Sequence, residues 1–226
     1  MVILIEELHR KKKYRIESLF LAVSLADRYL IHLAISWREA PCLVNLAVTC
    51  LLIAAKLTQP LRPKLDLMNA LLYSGYRVHV KKQDFISLEK DILKALQFDL
   101  QFISPIFFLE RYQRVFGVDL EDIDITSRKI GRLARDFCFL MQRDADFLQF
   151  RPSQIAATSL VFAVKTYYYK QSMANTMSLK DISNERDNAL KMWTPAIEEM
   201  THLSARDEIK PVFRILSNKV RKSKID

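Results

Sequence analysis

LAVTCLLIAAK, residues 46–56, and IAATSLVFAVK, residues 155–165, are two versions of one segment. Ala47/Ala156, Thr49/Thr158, Leu51/Leu160, Ala54/Ala163 and Lys56/Lys165 are identical, and the other six pairs are small or apolar on both sides. The offset is 109 residues without a gap, and the same offset pairs Asp27 with Asp136 and Glu89 with Glu198. A constant offset held over about 70 residues marks an internal repeat rather than two alanine-rich helices matching by chance. The chain reads as two similar units, 1–101 and 105–210, joined around Ser104-Pro105 and followed by a basic tail over 211–226.

Outward from the repeated segment, every stretch has helical periodicity. SLFLAVSLADRYLIHL places Leu19, Ala22, Val23, Ala26, Leu30 and Leu33 on one face. Pro41 is expected within the first turn of the repeated helix, where a missing N–H costs nothing. That helix is apolar nearly all round, the mark of a central helix buried by several neighbours. Prolines at 60 and 63 end it. A short helix over 64–72, a turn at Ser74-Gly75 and an amphipathic helix over 81–96 complete the first unit. The second repeats the order with helices over 105–116, 126–142, 152–169, a short piece near 178–182, and 185–203, before a last helix over 206–222. The fold class is all-α: two tandem bundles, each round one buried helix, plus a C-terminal helix.

Composition removes several functions. The chain has 226 residues, half of them hydrophobic, enough for a core, and only three glycines, Gly75, Gly117 and Gly131. No phosphate-cradling glycine loop can be written with them. Three cysteines inside apolar segments point to a reducing compartment, and four scattered histidines without CxxC give no metal-ligand spacing. No cofactor is expected. The N-terminus lacks the features of a signal peptide, and the longest uninterrupted apolar run falls short of a bilayer span. The reading is an intracellular protein of nucleus or cytoplasm. The net charge of +9 is spread over both halves, 15 basic against 10 acidic residues in 1–104 and 20 against 16 in 105–226. So diffuse an excess argues against a nucleic-acid surface, which concentrates its cations on one face. The one tight cluster, Arg10, Lys11, Lys12, Lys13 and Arg15, reads as a solvated helix face. Asp122 and Asp124, like Asp144 and Asp146, fall in expected loops, and no nucleophile–base constellation has local support, so the chain is not read as an enzyme.

LFLAVSLADRYL (19–30), LAVTCLLIAAKL (46–57), FISLEKDILKALQFDLQFISPIFFLERY (85–112) and FLQFRPSQIAATSLVFAV (147–164) together resemble the cyclin family over almost the whole chain. The duplicated bundle derived above is what a tandem cyclin box implies. The resemblance implies a regulatory subunit that binds a cyclin-dependent protein kinase and holds its mobile helix in the active position. Lys56 stands at the family's signature lysine and Glu89 at its fifth-helix glutamate, which bracket that kinase helix and bond its backbone. Ile53, Leu57, Leu93 and Leu100 match positions of an apolar pocket for one of its side chains. Read without the resemblance, Lys56 snorkels at a helix end, Glu89 is a solvated charge and the four apolar residues are core.

Asp27 matches a structural aspartate that pairs with a first-helix arginine in the family; MVILIEEL offers none, so Asp27 finds another donor or sits exposed. The first helix also lacks the tryptophan used for substrate docking, with Glu6, Glu7 and Leu8 in its neighbourhood, and the sequence begins close to the box, without the extra helix that many cell-cycle cyclins press on the kinase. Arg62 and Leu65 form an RxxL read as chance. The alternative function is a cyclin-like structural or interaction protein that holds another partner in the same groove without activating a kinase.

Overall fold

The computed structural model describes residues 1–61, 63–116, 125–174 and 193–222, with the side chains of 169–174 and 221–222 left aside. Within these residues there is no strand. The chain divides into two compact units, Met1–Ser104 and Pro105–Asp226.

The first unit contains α1 (Val2–Lys12), α2 (Ile16–Ile35), α3 (Leu43–Thr58), α4 (Leu65–Tyr76) and α5 (Lys82–Ala95). Every residue of α3 from Leu46 to Ala55 is buried, because α1, α2 and α5 all pack against it. This explains an apolar surface with no polar stripe. The basic cluster falls on the last turn of α1 and the turn after it, where cations complement the helix dipole. Lys13 ends the helix in the left-handed conformation at φ 53°.

Three boundaries differ from the sequence reading. Pro41 lies outside α3, ahead of the N-cap Cys42, rather than in its first turn. The turn expected at Ser74-Gly75 is helical: the Ser74 hydroxyl donates to the Leu71 carbonyl, and α4 runs on to Tyr76 before Arg77 ends it at φ 56°. The α4–α5 connection is instead pinned by Asn69, whose side chain exchanges two 2.9 Å hydrogen bonds with the Val80 backbone. Helix α2 meets the length and composition of a membrane-crossing segment, although no uninterrupted apolar run in the sequence does; ten of its residues are buried in the unit, packed mainly on α3.

In the second unit α6 (Pro105–Val115), α7 (Ile125–Gln142), α8 (Pro152–Ala174), α9 (Pro195–Thr201) and α10 (Lys210–Lys222) are described. Helix α8 takes the place of α3, with α6, α7 and α10 against it. The expected piece at 178–182 and the first part of the helix expected over 185–203 lie outside the described residues. Helix α9 starts at Pro195, after Thr194. A proline inside a longer helix would break it, whereas at the first position it fits.

The last helix, expected over 206–222, is formed, with α10 spanning Lys210–Lys222. Ser204 caps a single π-type turn, Ala205–Ile209, that leads straight into α10. Ile209, Val212, Phe213 and Leu216 are buried. Arg214 is exposed on the other side of this helix.

Candidate functional site

The last turn of α3 carries Ile53, Lys56 and Leu57, which share one side of the helix by their three- and four-residue spacing. Helix α5 packs on α3 and presents Phe85, Glu89 and Leu93 at successive four-residue steps. The two helices bring the sequence-predicted charges together: Lys56 Nζ donates to Glu89 Oε1. The ammonium also lies 5.2 Å from the centroid of the Phe85 ring, a cation–π contact. Phe85 was legible only as a core-facing residue of its helix, although its place four residues before Glu89 puts it on the same shelf.

The four apolar candidates separate by depth. Ile53 is 3 % exposed and belongs to the core, whereas Leu57, next to Lys56 in the chain, is 55 % exposed. Leu93 and Leu100 are half-buried. The structure thus brings together a closed ion pair and the Phe85 ring against its ammonium. This site holds no nucleophile, and no group of three metal-ligating side chains occurs among the described residues.

A different face of α5 carries features that the sequence reading missed. The buried Tyr29 of α2 donates its hydroxyl to Asp91 at 2.5 Å, and Arg38 adds a 3.0 Å ion pair. These donors hold the Asp91 carboxyl below its ordinary range, and burial together with Asp91 raises Tyr29. Further along, Arg28 reaches Asp99 at 3.1 Å. Asp91 also lines an open cleft of about 590 Å³, with Arg38, Glu39, Lys90 and Lys94 among its walls, that does not include Lys56 or Glu89. The signal for this tether was available as charges on α2 and α5, but nothing in the linear spacing pairs Tyr29 with a residue 62 positions away.

Asp27 meets neither sequence alternative. It is half-buried and has no hydrogen bond or ion pair among the described residues. Desolvation pushes its carboxyl up to about 6. Its repeat counterpart Asp136 is raised by the same cause, opposed by the neighbouring Arg135. Of the remaining acidic candidates, Asp144 caps a short 3-10 turn and Asp146 lies within it, and both bind Lys219, at 2.5 and 2.7 Å. Asp122, Asp124 and Arg62 lie outside the described residues. In the tyrosine run, Tyr167 is half-buried with its hydroxyl near Thr126, Tyr168 is exposed, and the Tyr169 side chain lies outside them.

Family models agree with this architecture. Residues 1–101 match the cyclin N-terminal domain and residues 103–225 the cyclin C-terminal domain. The chain is 28 % identical over 191 residues to the G2/mitotic-specific cyclin-B3 of Gallus gallus, covering 84 % of this chain and 38 % of that protein. It is 29 % identical over 194 residues to putative cyclin-A3-1 of Arabidopsis thaliana, covering 86 % and 52 %. It thus spans well under two thirds of the length of these relatives. Among solved structures it is similar in fold to a viral cyclin from herpesvirus saimiri, with a TM-score of 0.64 at 18 % identity over 96 % of this chain and 83 % of that one. A chain of the CAK complex of Chaetomium thermophilum gives 0.56 at 16 % over 96 % and 69 %. Two domain models that together run from end to end of a duplicated helical bundle leave one conclusion: this chain belongs to the cyclin family.

Proposed function

We propose that the chain is the non-catalytic regulatory partner of a cyclin-dependent protein kinase inside the cell, and that it acts by holding the kinase's mobile helix against α3 and α5. The observation that carries this reading is the Lys56–Glu89 pair, with the Phe85 ring against its ammonium and an exposed Leu57 next to Lys56 in the chain. A helix laid across the pair offers carbonyls to the ammonium and N–H groups to the carboxylate. Each such charge-assisted bond contributes about 1.5–3 kcal/mol. Leu57, Leu93 and Leu100 would receive one apolar side chain of that helix, worth about 1.5–3 kcal/mol when fully buried.

The pair is closed on itself in the free chain, and the Lys56 side chain is 40 % exposed. An exposed ion pair contributes only about 0–1 kcal/mol, so opening it for a partner costs little. The chain supplies no chemistry of its own. Its leverage on the kinase equals the difference in its affinity for the kinase's two helix positions.

The test exchanges the charges, Lys56→Glu with Glu89→Lys. This variant keeps the internal bridge but offers the wrong sign to both backbone groups. The chain is mixed with cyclin-dependent kinases, and capture and kinase activity are measured. Capture and activation by the parent chain, both lost in the exchanged variant, support the proposal. Failure of the parent chain to capture any such kinase overturns it. Capture without activation supports the alternative, an interaction protein using the same groove.

A further inference from the structure

Two stretches of the first unit are strongly basic: Arg10 to Arg15, in which five of six residues are cations, and Arg77 to Lys82, which adds Arg77, Lys81 and Lys82. They are far apart in the sequence, and the fold joins them. Tyr76, the last residue of α4, donates its hydroxyl to Glu7 of α1, and Lys11 makes a 2.6 Å ion pair with the same carboxylate. A Cβ placed on Gly75 would lie 3.7 Å from Lys11 Nζ. The last turn of α4 thus lies beside the end of α1, and Arg77 follows it directly. Arg10, Lys11, Lys13, Arg15 and Arg77 are all exposed. Glu7 is already held by two donors, and Arg10, Lys13 and Arg15 make no ion pair among the described residues. Each helix dipole favours cations at its own C-terminus. Bringing two such ends together sets like charges side by side, a repulsion that an anionic ligand relieves.

We infer that the adjoining ends of α1 and α4 form a docking surface for an acidic peptide segment of a partner protein, with its carboxylates on Arg10, Lys11 and Arg77. The inference goes beyond the proposed function, because the surface is made by α1 and α4 rather than α3 and α5 and requires no kinase. Tyr73 and Tyr76 give the peptide a flat surface to lie on. They are 56 % and 47 % exposed, and the Arg77 guanidinium lies 5.2 Å from the centroid of the Tyr73 ring. Aromatic residues and arginine are the side chains enriched at protein interfaces. A short peptide also suits the patch better than a nucleic acid. The cations occupy two helix ends rather than a continuous face, and Glu6, Glu7 and Glu17 flank the first stretch in the sequence. A duplex needs a continuous track of cations for its regularly spaced phosphates, whereas a run of a few acidic residues does not.

The test uses the full chain and a short fluorescent peptide of alternating Asp and Glu, with an Asn and Gln peptide of the same length as the neutral probe. Fluorescence polarisation at low salt should show binding of the acidic peptide and not of the neutral one, and the binding should weaken as salt rises. Arg10→Glu with Arg77→Glu should weaken it by about tenfold or more. Lys129→Glu with Arg132→Glu, the same charge change at exposed positions of α7, should leave it within about twofold. A parent chain that does not bind the acidic peptide overturns the inference. So does an equal loss in the two double variants, which would mark attraction to net charge alone. A DNA duplex that binds the parent more tightly than the peptide also overturns it, in favour of a nucleic-acid surface. Should the reversed pair fail to fold, Arg10→Gln with Arg77→Gln takes its place, and a loss smaller than about threefold then overturns the inference.

Discussion

In the first unit the cation at the end of the central helix lies over Phe85 and closes on Glu89, both of α5; in the second, its counterpart Lys165 lies over Phe213 of α10. The sequence difference behind this is small, since the central helices are nearly copies. The energetic difference is large. The exposed Lys56–Glu89 pair contributes about 0–1 kcal/mol. Each of the four side chains that α10 and its leading turn bury contributes about 1.5–3 kcal/mol. In both units the lysine at the end of the central helix rests on a phenylalanine of the fifth helix, and in the first it also meets a carboxylate of that helix.

The largest effect that could break this contrast is on partner capture. Exchanging Lys56 and Glu89 removes two charge-assisted bonds to a docked helix, about 3–6 kcal/mol together, and should weaken kinase capture by two to four orders of magnitude. Because the internal bridge survives in reversed form, the melting temperature should stay within about 2 °C of the parent. Titration calorimetry and a thermal melt read both quantities on one sample. Lost capture with lost stability would make the pair structural.

Next comes Phe213→Ala. Truncating a buried phenylalanine costs about 3–5 kcal/mol, and urea denaturation should show that loss in the transition of the second unit. Kinase capture through the first unit should remain within about threefold. If capture instead collapses along with stability, the two units are not independent.

A third comparison sets Asp27 against Asp136. Both carboxyls are raised by desolvation, Asp27 to about 6, and only Asp136 has an arginine acting against the shift. A raised folded value means that the neutral carboxyl suits the fold. The contribution of Asp27 is complete below the unfolded value near 4 and is lost as pH rises through about 6. Asp27→Asn removes that loss. It should flatten stability between pH 4 and 6 and gain about 1–2 kcal/mol at pH 7, allowing for partial exposure. Asp136→Asn should gain less. Urea midpoints across the pH series check both, and an Asp27→Asn chain less stable than the parent at pH 7 would point to an ionised, partnered Asp27.

The repeat explains which parts of this were legible in the sequence. A buried central helix announces itself by an apolar surface without a polar stripe, so LAVTCLLIAAK and IAATSLVFAVK placed the core of both bundles. The approach of Lys56 to Glu89 followed from a family pattern and not from spacing, since the two are 33 residues apart. Terminal turns were harder to read, because Pro41 and Gly75 are local signals overridden by neighbours: Cys42 takes the cap, and the helix continues through Gly75 to Arg77. The C-terminal helix was legible as a helix over 206–222. Its charges dominate the composition, while the spacing of Ile209, Val212, Phe213 and Leu216 carries the packing. The partners of Asp91 were illegible because a tertiary hydrogen bond leaves no periodic trace.

That last tether gives the smallest test and the most local one. Tyr29 and Arg38 hold Asp91, two residues beyond Glu89 on α5, so they help fix the helix that carries one half of the groove. Tyr29→Phe deletes one hydroxyl without changing the buried ring, and should cost about 1 kcal/mol near neutral pH. The sign with pH is opposite to that of Asp27. Asp91 is lowered in the fold, so its contribution is present above the ordinary carboxylate range and is lost as pH falls through its depressed value. Parent and Tyr29→Phe stabilities should therefore converge in acid and separate above about pH 5. Kinase capture should weaken by only two- to threefold, since Arg38 still restrains the carboxylate. A drop as large as that of the charge exchange would move the site's centre from Glu89 to Asp91, and with it the boundary of the groove.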